Sequence, residues 1–269
     1  MNAITLFLSH MAIGFLLSFP FLGESGLRRE YFRWGTAIAL GCLVGALVFA
    51  PAPWRGGIWP PFAAGGGPPG LAVALLALLG YFLLLPSPRR GPRQACLWLT
   101  LGAGFFGIAA LGVSHQPAPP ALITSGGAYA ASFLASALLL GWTTATLFLG
   151  HWYLVAVGLS FTYLQRGTLG LLILLGVRVA VGLGLLAAAI SAAPGGAGQL
   201  LFPLSPVGFF LWPRLILGLI LPGVFAVLAH RCALIKANQS ATGILYAAVT
   251  CVICGELLAL YLAGLGIPC

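Results

Sequence analysis

Apolar runs of bilayer-crossing length follow one another from Ala3 to Leu265, and this succession decides the fold class before any single residue is considered. A hydrocarbon core about 30 Å thick takes roughly 20 residues of helix at about 1.5 Å per residue. Inside it every backbone N–H and C=O needs an internal partner, which leaves only helices and closed barrels. The runs are continuous and do not alternate, so the expectation is an all-α, polytopic membrane protein. Eight transmembrane helices are expected over Ala3–Leu22, Trp34–Ala50, Gly70–Leu85, Ala95–Ser114, Leu122–Leu149, Leu169–Ser191, Val207–His230 and Ser240–Leu265. The third is the shortest, and the fifth is loosely bounded because apolar residues continue to Leu164. Residues 1–22 lack a basic start and a clean small-residue cleavage site, so they read as a retained first span. No stretch is left over for a soluble domain, and residues 1–269 read as one transmembrane helical bundle. A chain 61% hydrophobic and 6% charged fits this, against about 25% charged residues in soluble domains.

Charge sets the expected orientation. Connections one, three, five and seven carry Arg28, Arg29 and Arg33; Arg89, Arg90 and Arg93; Arg166; and Arg231 with Lys236. The even connections carry Arg55 alone. The positive-inside rule then puts the odd connections in the cytoplasm and both termini outside, in a bacterial inner membrane. The net charge of +9 reflects this orientation and not nucleic-acid binding, because the basic residues sit in separate short loops. The Pro- and Gly-rich outer connections Pro51–Pro69 and Ala192–Pro206 are expected to be non-helical. Trp54 and Trp59 in the first of them suit the headgroup layer, so both connections read as interfacial loops, with a docking surface for an outside partner as the alternative. Gly41 and Gly45 form a GxxxG pair that predicts close helix packing.

The chemistry is confined to few side chains. There is no Asp, and Glu24 and Glu30 share a loop, so Glu256 is the single carboxylate expected within a span. That excludes aspartyl proteases and metal sites built from several carboxylates. No HExxH occurs, and Ser9–His10 and Ser114–His115 are adjacent pairs whose side chains diverge by about 100° on a helix, poorly set for nucleophilic catalysis. Cys251 and Cys254 have CxxC spacing without a second pair, and are expected as small buried core residues. Ser240 is placed to cap the last helix.

Charge inside a span is costly, about 2.5–3.5 kcal/mol for one Arg at the bilayer centre even on a lenient scale, and it usually marks function. At 1.5 Å per residue, His10 and Arg214 fall about 10 Å, and Glu256 about 13 Å, below the outer face. Arg178 falls nearer the midplane and His115 at the outer mouth of the fourth helix. One carboxylate must serve two arginines, so at least one cation needs a further acceptor. One reading is a Glu256–Arg214 ion pair locking helices seven and eight, with Arg178 capped by backbone carbonyls. The other is a pocket for a quinone, with Glu256 or His10 exchanging protons and Arg178 and Arg214 polarising its oxygens. On the inner side His151 and His230 are interface residues or, alternatively, axial ligands of a b-type haem, with His10 and His115 as an outer pair by the same logic.

The segment GELLALYL, residues 255–262, resembles the final helix of the dimethyl sulfoxide reductase anchor family, which shares a Gly-Glu pair in its last span. That family and its polysulfide-reductase-type relatives have eight or more helices, and the anchor has both termini outside. The resemblance implies a membrane subunit exchanging electrons between the quinone pool (menaquinone or ubiquinone) and an iron–sulfur partner, with a quinone site at Glu256 and its neighbours. The first function class is therefore an integral subunit of a respiratory or other electron-transfer complex, working with other membrane or periplasmic subunits. A structural scaffold subunit and a small-solute transporter are the other classes that fit. Pro213 and Pro222 in helix seven are the feature favouring transport, with no internal repeat beside them.

Overall fold

The computed structural model describes residues 3–22, 27, 29–50, 67–115, 122–156, 159–193 and 195–269. Among these residues the chain is all-helical. Its elements are α1 (Ala3–Leu22), α2 (Arg29–Val48), α3 (Gly67–Leu84), α4 (Arg90–Val113), α5 (Gly126–Val155), α6 (Thr162–Ala192), α7 (Gly196–Leu201), α8 (Gly208–Leu215), α9 (Leu221–Leu234) and α10 (Asn238–Gly264). A π-helical turn, Ile216–Ile220, joins α8 to α9 in one rod. Seven helices, counting that rod as one, are long and apolar enough to cross a bilayer, the architecture of a polytopic membrane protein. The apolar part of α3, Pro69–Leu84, is shorter than these. Glu24, Arg28, and the Arg55, Trp54 and Trp59 loop from Pro51 to Gly66 lie outside the described residues.

The central helix is α5, which packs against α1, α4, α6 and α10. Its most apolar window is 72% buried, against 28% for α6 and for Gly208–Leu234, so these last elements form the outer wall. That wall is apolar. Ile173 (59% exposed), Phe209 (61%) and Ile220 (58%) project outward, a surface that water would not tolerate and lipid does. Inside, hydroxyls bond their own helix: Thr143 donates to the Leu139 carbonyl and Thr168 to that of Leu164. With no water available, this i−4 bonding is how a lipid-embedded helix keeps such groups.

Small residues set the closest approaches. A Cβ on Gly14 of α1 would strike the Ala137 carbonyl, and one on Gly141 of α5 would strike the Gly14 backbone. The predicted Gly41/Gly45 pair does not do this work. Gly41 is exposed with nothing within 4 Å of where its Cβ would be, and Gly45 meets only Leu8. A GxxxG spacing puts two glycines on one face but does not say which face meets a neighbour.

Other boundaries differ for local reasons. The second and sixth helices begin at Arg29 and Thr162, earlier than the apolar runs, because polar residues can extend a helix beyond the apolar core. In the connection expected to be non-helical, Gly196–Leu201 forms the short α7. Ser240 is not the cap of α10. The helix starts at Asn238, whose Nδ2 donates to the Tyr153 carbonyl at the end of α5. Cys254 is exposed and Cys251 half-buried, so they lie towards the outside of the bundle and not in its core. An almost wholly apolar helix gives no sequence cue to its rotation.

The π-turn has a stated cause. Pro222 has no N–H to bond the Gly218 carbonyl, and its ring would collide with that carbonyl in an α-helix. The helix widens instead, with the Leu221 N–H donating to the Ile216 carbonyl.

Two ends of the bundle can be told apart by charge. α1 and α5 run parallel, since His10 meets Phe133 and Phe15 meets Phe148. Tyr31 at the start of α2 meets Trp152 near the end of α5, Arg29 bonds the Pro86 carbonyl beyond α3, and Gln165 of α6 bonds the Ala233 carbonyl of α9. These contacts bring the odd connections to one end. Among the described residues, every basic side chain except Arg178 and Arg214 belongs to that end.

Candidate functional site

Arg178 from the middle of α6, Arg214 from the end of α8 and Glu256 from α10 come into direct contact. Each is buried, with 0%, 1% and 1% of its surface exposed. Arg178 grips the carboxylate with two nitrogens, Nε to Oε1 at 3.2 Å and Nη2 to Oε2 at 3.4 Å. Arg214 Nη2 donates to Oε1 at 3.1 Å. The Ser136 hydroxyl of α5 also reaches the carboxylate. One carboxylate thus ties three peripheral helices to the central one.

Two glycines let this happen. Gly218, in the π-turn, lies against Gly255 of α10, so close that a Cβ on either would run into the other's backbone. A Cβ on Gly218 would also collide with the Arg214 guanidinium, which therefore runs along the helix over a bare backbone. The Gly255–Glu256 pair is explained at both positions: the first residue makes room and the second supplies the charge.

A fourth contributor had no signal in the apolar pattern. After α10 the chain reverses in a Schellman motif, with Gly266 at φ 87°, the Gly266 N–H bonding the Ala263 carbonyl and the Ile267 N–H bonding the Leu262 carbonyl. Ile267 and Leu262 are both buried beside this turn. The reversal carries Cys269 back into the bundle, where its backbone oxygen accepts from Arg178 Nη2 at 3.1 Å. The cue available in the sequence was Gly266 followed by Pro268, the usual marks of a helix stop.

The site remains rich in donors. Two guanidinium groups face one carboxylate, and Arg178 Nη1, Arg214 Nε and Arg214 Nη1 find no acceptor among the described residues. His10 of α1 is 1% exposed, lies within Coulombic reach of Glu256 and Arg178, and has an Nε2 without a partner. At roughly 1.5 Å per residue, Glu256 sits about 12 Å in from the end of α10 at Gly264, and His10 about 10 Å in from Ala3. Chemically, unpartnered guanidinium and imidazole nitrogens can donate to oxygen acceptors, and guanidinium groups can stabilise negative charge on them.

The remaining histidines are elsewhere. The His115 ring packs on Tyr129 and Phe133, and its Nε2 lies 3.3 Å from the Ala263 carbonyl. Burial lowers its pKa below the ordinary imidazole value, and the bond to Ala263 opposes this in part. His10 packs on the same Phe133. At the basic end, His151 Nδ1 pairs with the Tyr246 hydroxyl at 3.3 Å and His230 Nδ1 with the Thr168 hydroxyl at 2.9 Å. His151 and His230 pair with groups on different helices, α10 and α6, and of the residues singled out in the sequence Arg178, Arg214, Glu256 and His10 share one site. Among the described residues no three His, Cys, Asp or Glu side chains gather where they would hold a metal ion.

No protein-family model, curated protein or solved structure matches the chain.

Proposed function

We propose that this chain is an integral subunit of a membrane electron-transfer complex and binds a quinone or quinol at the Arg178–Arg214–Glu256–His10 site. The observation supporting this reading is the surplus of buried donors: three guanidinium nitrogens and one imidazole nitrogen lack acceptors where a single carboxylate is already shared. A quinone head group brings two oxygens and an apolar ring. Arg214 and Arg178 hold those oxygens, and His10 or Glu256 takes the protons released as quinol is oxidised. The electrons pass to a partner subunit, since the free cysteines are spread along the chain and form no cluster among the described residues.

The same reading includes eight crossings, with α3 as the eighth, and both termini on the outer side of a bacterial inner membrane. It rests on the gathering of the basic residues at one end. The site then lies in the outer half of the bilayer.

A second reading, a scaffold subunit locked by its ion pairs, is favoured by the near-complete burial of Arg178, Arg214 and Glu256. The deciding experiment is solvent extraction of the purified protein for quinone, with titration of a short-chain quinol analogue. Retained quinone, and analogue binding abolished by Arg214→Met in a variant that stays folded, support the site. Absence of both from folded wild-type protein leaves the scaffold reading. A reduced-minus-oxidised visible spectrum of the same sample reads out a b-type haem directly.

A further inference from the structure

The basic end of the bundle holds a second arrangement, remote from Glu256 and independent of the quinone reading. α2 and α4 both start there, at Arg29 and Arg90, and direct their positive dipole ends towards it. Between them is a cavity of about 80 Å³ lined by Arg29, Arg90 and Arg93 with Leu27, Leu85 and Pro88. Arg93 is only 5% exposed, so its charge is built into the bundle and does not sit on a solvated face. Its Nη1 donates to the Ser87 carbonyl at 3.3 Å, and Arg29 Nη1 donates to the Pro86 carbonyl at 3.3 Å. The turn after α3 therefore holds two guanidinium forks at the cavity. Among the described residues no carboxylate lines it. Glu30 lines a neighbouring hollow instead, with Arg33 and Trp34.

One turn further along α4 the chemistry changes. A cavity of about 210 Å³ shares Phe32 with the first and is lined by Phe19, Tyr81, Gln94, Leu97 and Trp98. Gln94 and Leu97 follow Arg90 and Arg93 by four positions, so they continue the same face of the helix inward. A cationic mouth thus leads into an aromatic and apolar slot. That order matches a phosphate and the chain attached to it. An inorganic phosphate would use the mouth alone, and a zwitterionic lipid would bring its own cation against three arginines.

We propose that this is a binding site for an anionic phospholipid, its phosphate held by Arg29, Arg90 and Arg93 and an acyl chain lying along Phe32, Leu97 and Trp98. Basic pockets between transmembrane helices attract such headgroups, and each arginine near the surface strengthens the attraction roughly fivefold.

The test uses the whole chain, delipidated in detergent, with phosphatidylglycerol, phosphatidylcholine or inorganic phosphate added, read by native mass spectrometry and thermal unfolding. Phosphatidylglycerol is expected to be retained and to raise the unfolding temperature, whereas phosphatidylcholine and inorganic phosphate do neither. The pair Arg29→Gln and Arg90→Gln, both at exposed positions, should weaken phosphatidylglycerol binding by about 30-fold. Arg231→Gln with Lys236→Gln should leave it unchanged. If the first pair fails to fold, Arg90→Gln alone should cost about fivefold. Equal retention of the two lipids, undiminished binding in the arginine variants, or equal protection by inorganic phosphate would overturn the proposal.

Discussion

Removing the shared carboxylate should damage this protein more than removing either arginine. Glu256 accepts from Arg178 at 3.2 and 3.4 Å and from Arg214 at 3.1 Å, with all three side chains at most 1% exposed. Opposite charges about 4 Å apart attract by about 4 kcal/mol gross at an effective dielectric near 20, most of which offsets desolvation. Glu256→Gln removes the side-chain carboxylate that both guanidinium groups share, and leaving buried charge uncompensated costs about 3–5 kcal/mol. Arg178→Met removes both bonds to Glu256 and the one to Cys269, but Glu256 keeps Arg214. Arg214→Met removes one bond and leaves the two-point Arg178–Glu256 pair in place, so the smallest loss of the three is expected. The order of damage is therefore Glu256→Gln, then Arg178→Met, then Arg214→Met. Intrinsic tryptophan fluorescence during heating of detergent-purified protein reads it, with a fall on the order of 10 °C for Glu256→Gln. The triple change Glu256→Leu, Arg178→Met and Arg214→Met should restore most of that stability while abolishing quinone-analogue binding. A Glu256→Gln protein that melts with the wild type, or an Arg214→Met protein that melts below the Glu256→Gln protein, would refute the charge argument.

Gly255→Ala should destabilise by about 1–3 kcal/mol, because its Cβ meets the Gly218 backbone, whereas Gly41→Ala, with open space around it, should be neutral or slightly stabilising in the same melting assay. At Gly266, with φ 87°, alanine should cost about 1–2 kcal/mol and loosen the Cys269 contact to Arg178, seen as faster alkylation of the buried Cys269 thiol. Lys236 adopts φ 62° at the end of α9 without being a glycine, so Lys236→Gly should raise stability by up to about 1 kcal/mol. Burial lowers the His115 pKa below the ordinary imidazole value of about 6.5, so the unfolded chain binds the proton more readily than the folded one. The stability tied to neutral His115 is full above about pH 6.5 and is lost as pH falls towards the folded pKa. A melting-temperature profile from pH 7.5 to 5 should be flatter for His115→Gln.

Seven long apolar helices were legible because hydrophobic length is a one-dimensional property, while the third expected span is a shorter apolar helix; the approach of Arg178, Arg214 and Glu256 was legible because depth follows from residue count. Rotation was not. Cys254 and Gly41 face outward on helices whose apolar residues run all the way round, so no periodicity revealed it. The Cys269 backbone oxygen was also hidden, since it has no sequence signature and its arrival depends on the reversal at Gly266. Gly255 could be noticed beside Glu256, but its purpose depends on Gly218, which is far away in sequence. Helix ends were misjudged where polar side chains extend the coil past the apolar core, as at Arg29 and Thr162.

The widened turn at Ile216–Ile220 also fixes the phase of the rod that contains it. Sixteen positions separate Arg214, which meets α10, from His230, which meets α6. On an uninterrupted helix at about 100° per residue they would point roughly 160° apart, so one of them would face lipid. One residue absorbed by the turn reduces that angle to about 60°, and both polar side chains point inward. A single-residue insertion between Ile216 and Ile220 would swing one half of the rod by about 100°, costing either the Glu256 contact or the Thr168 contact without altering any of the four residues involved, whereas a single-residue deletion there would straighten the turn and keep both.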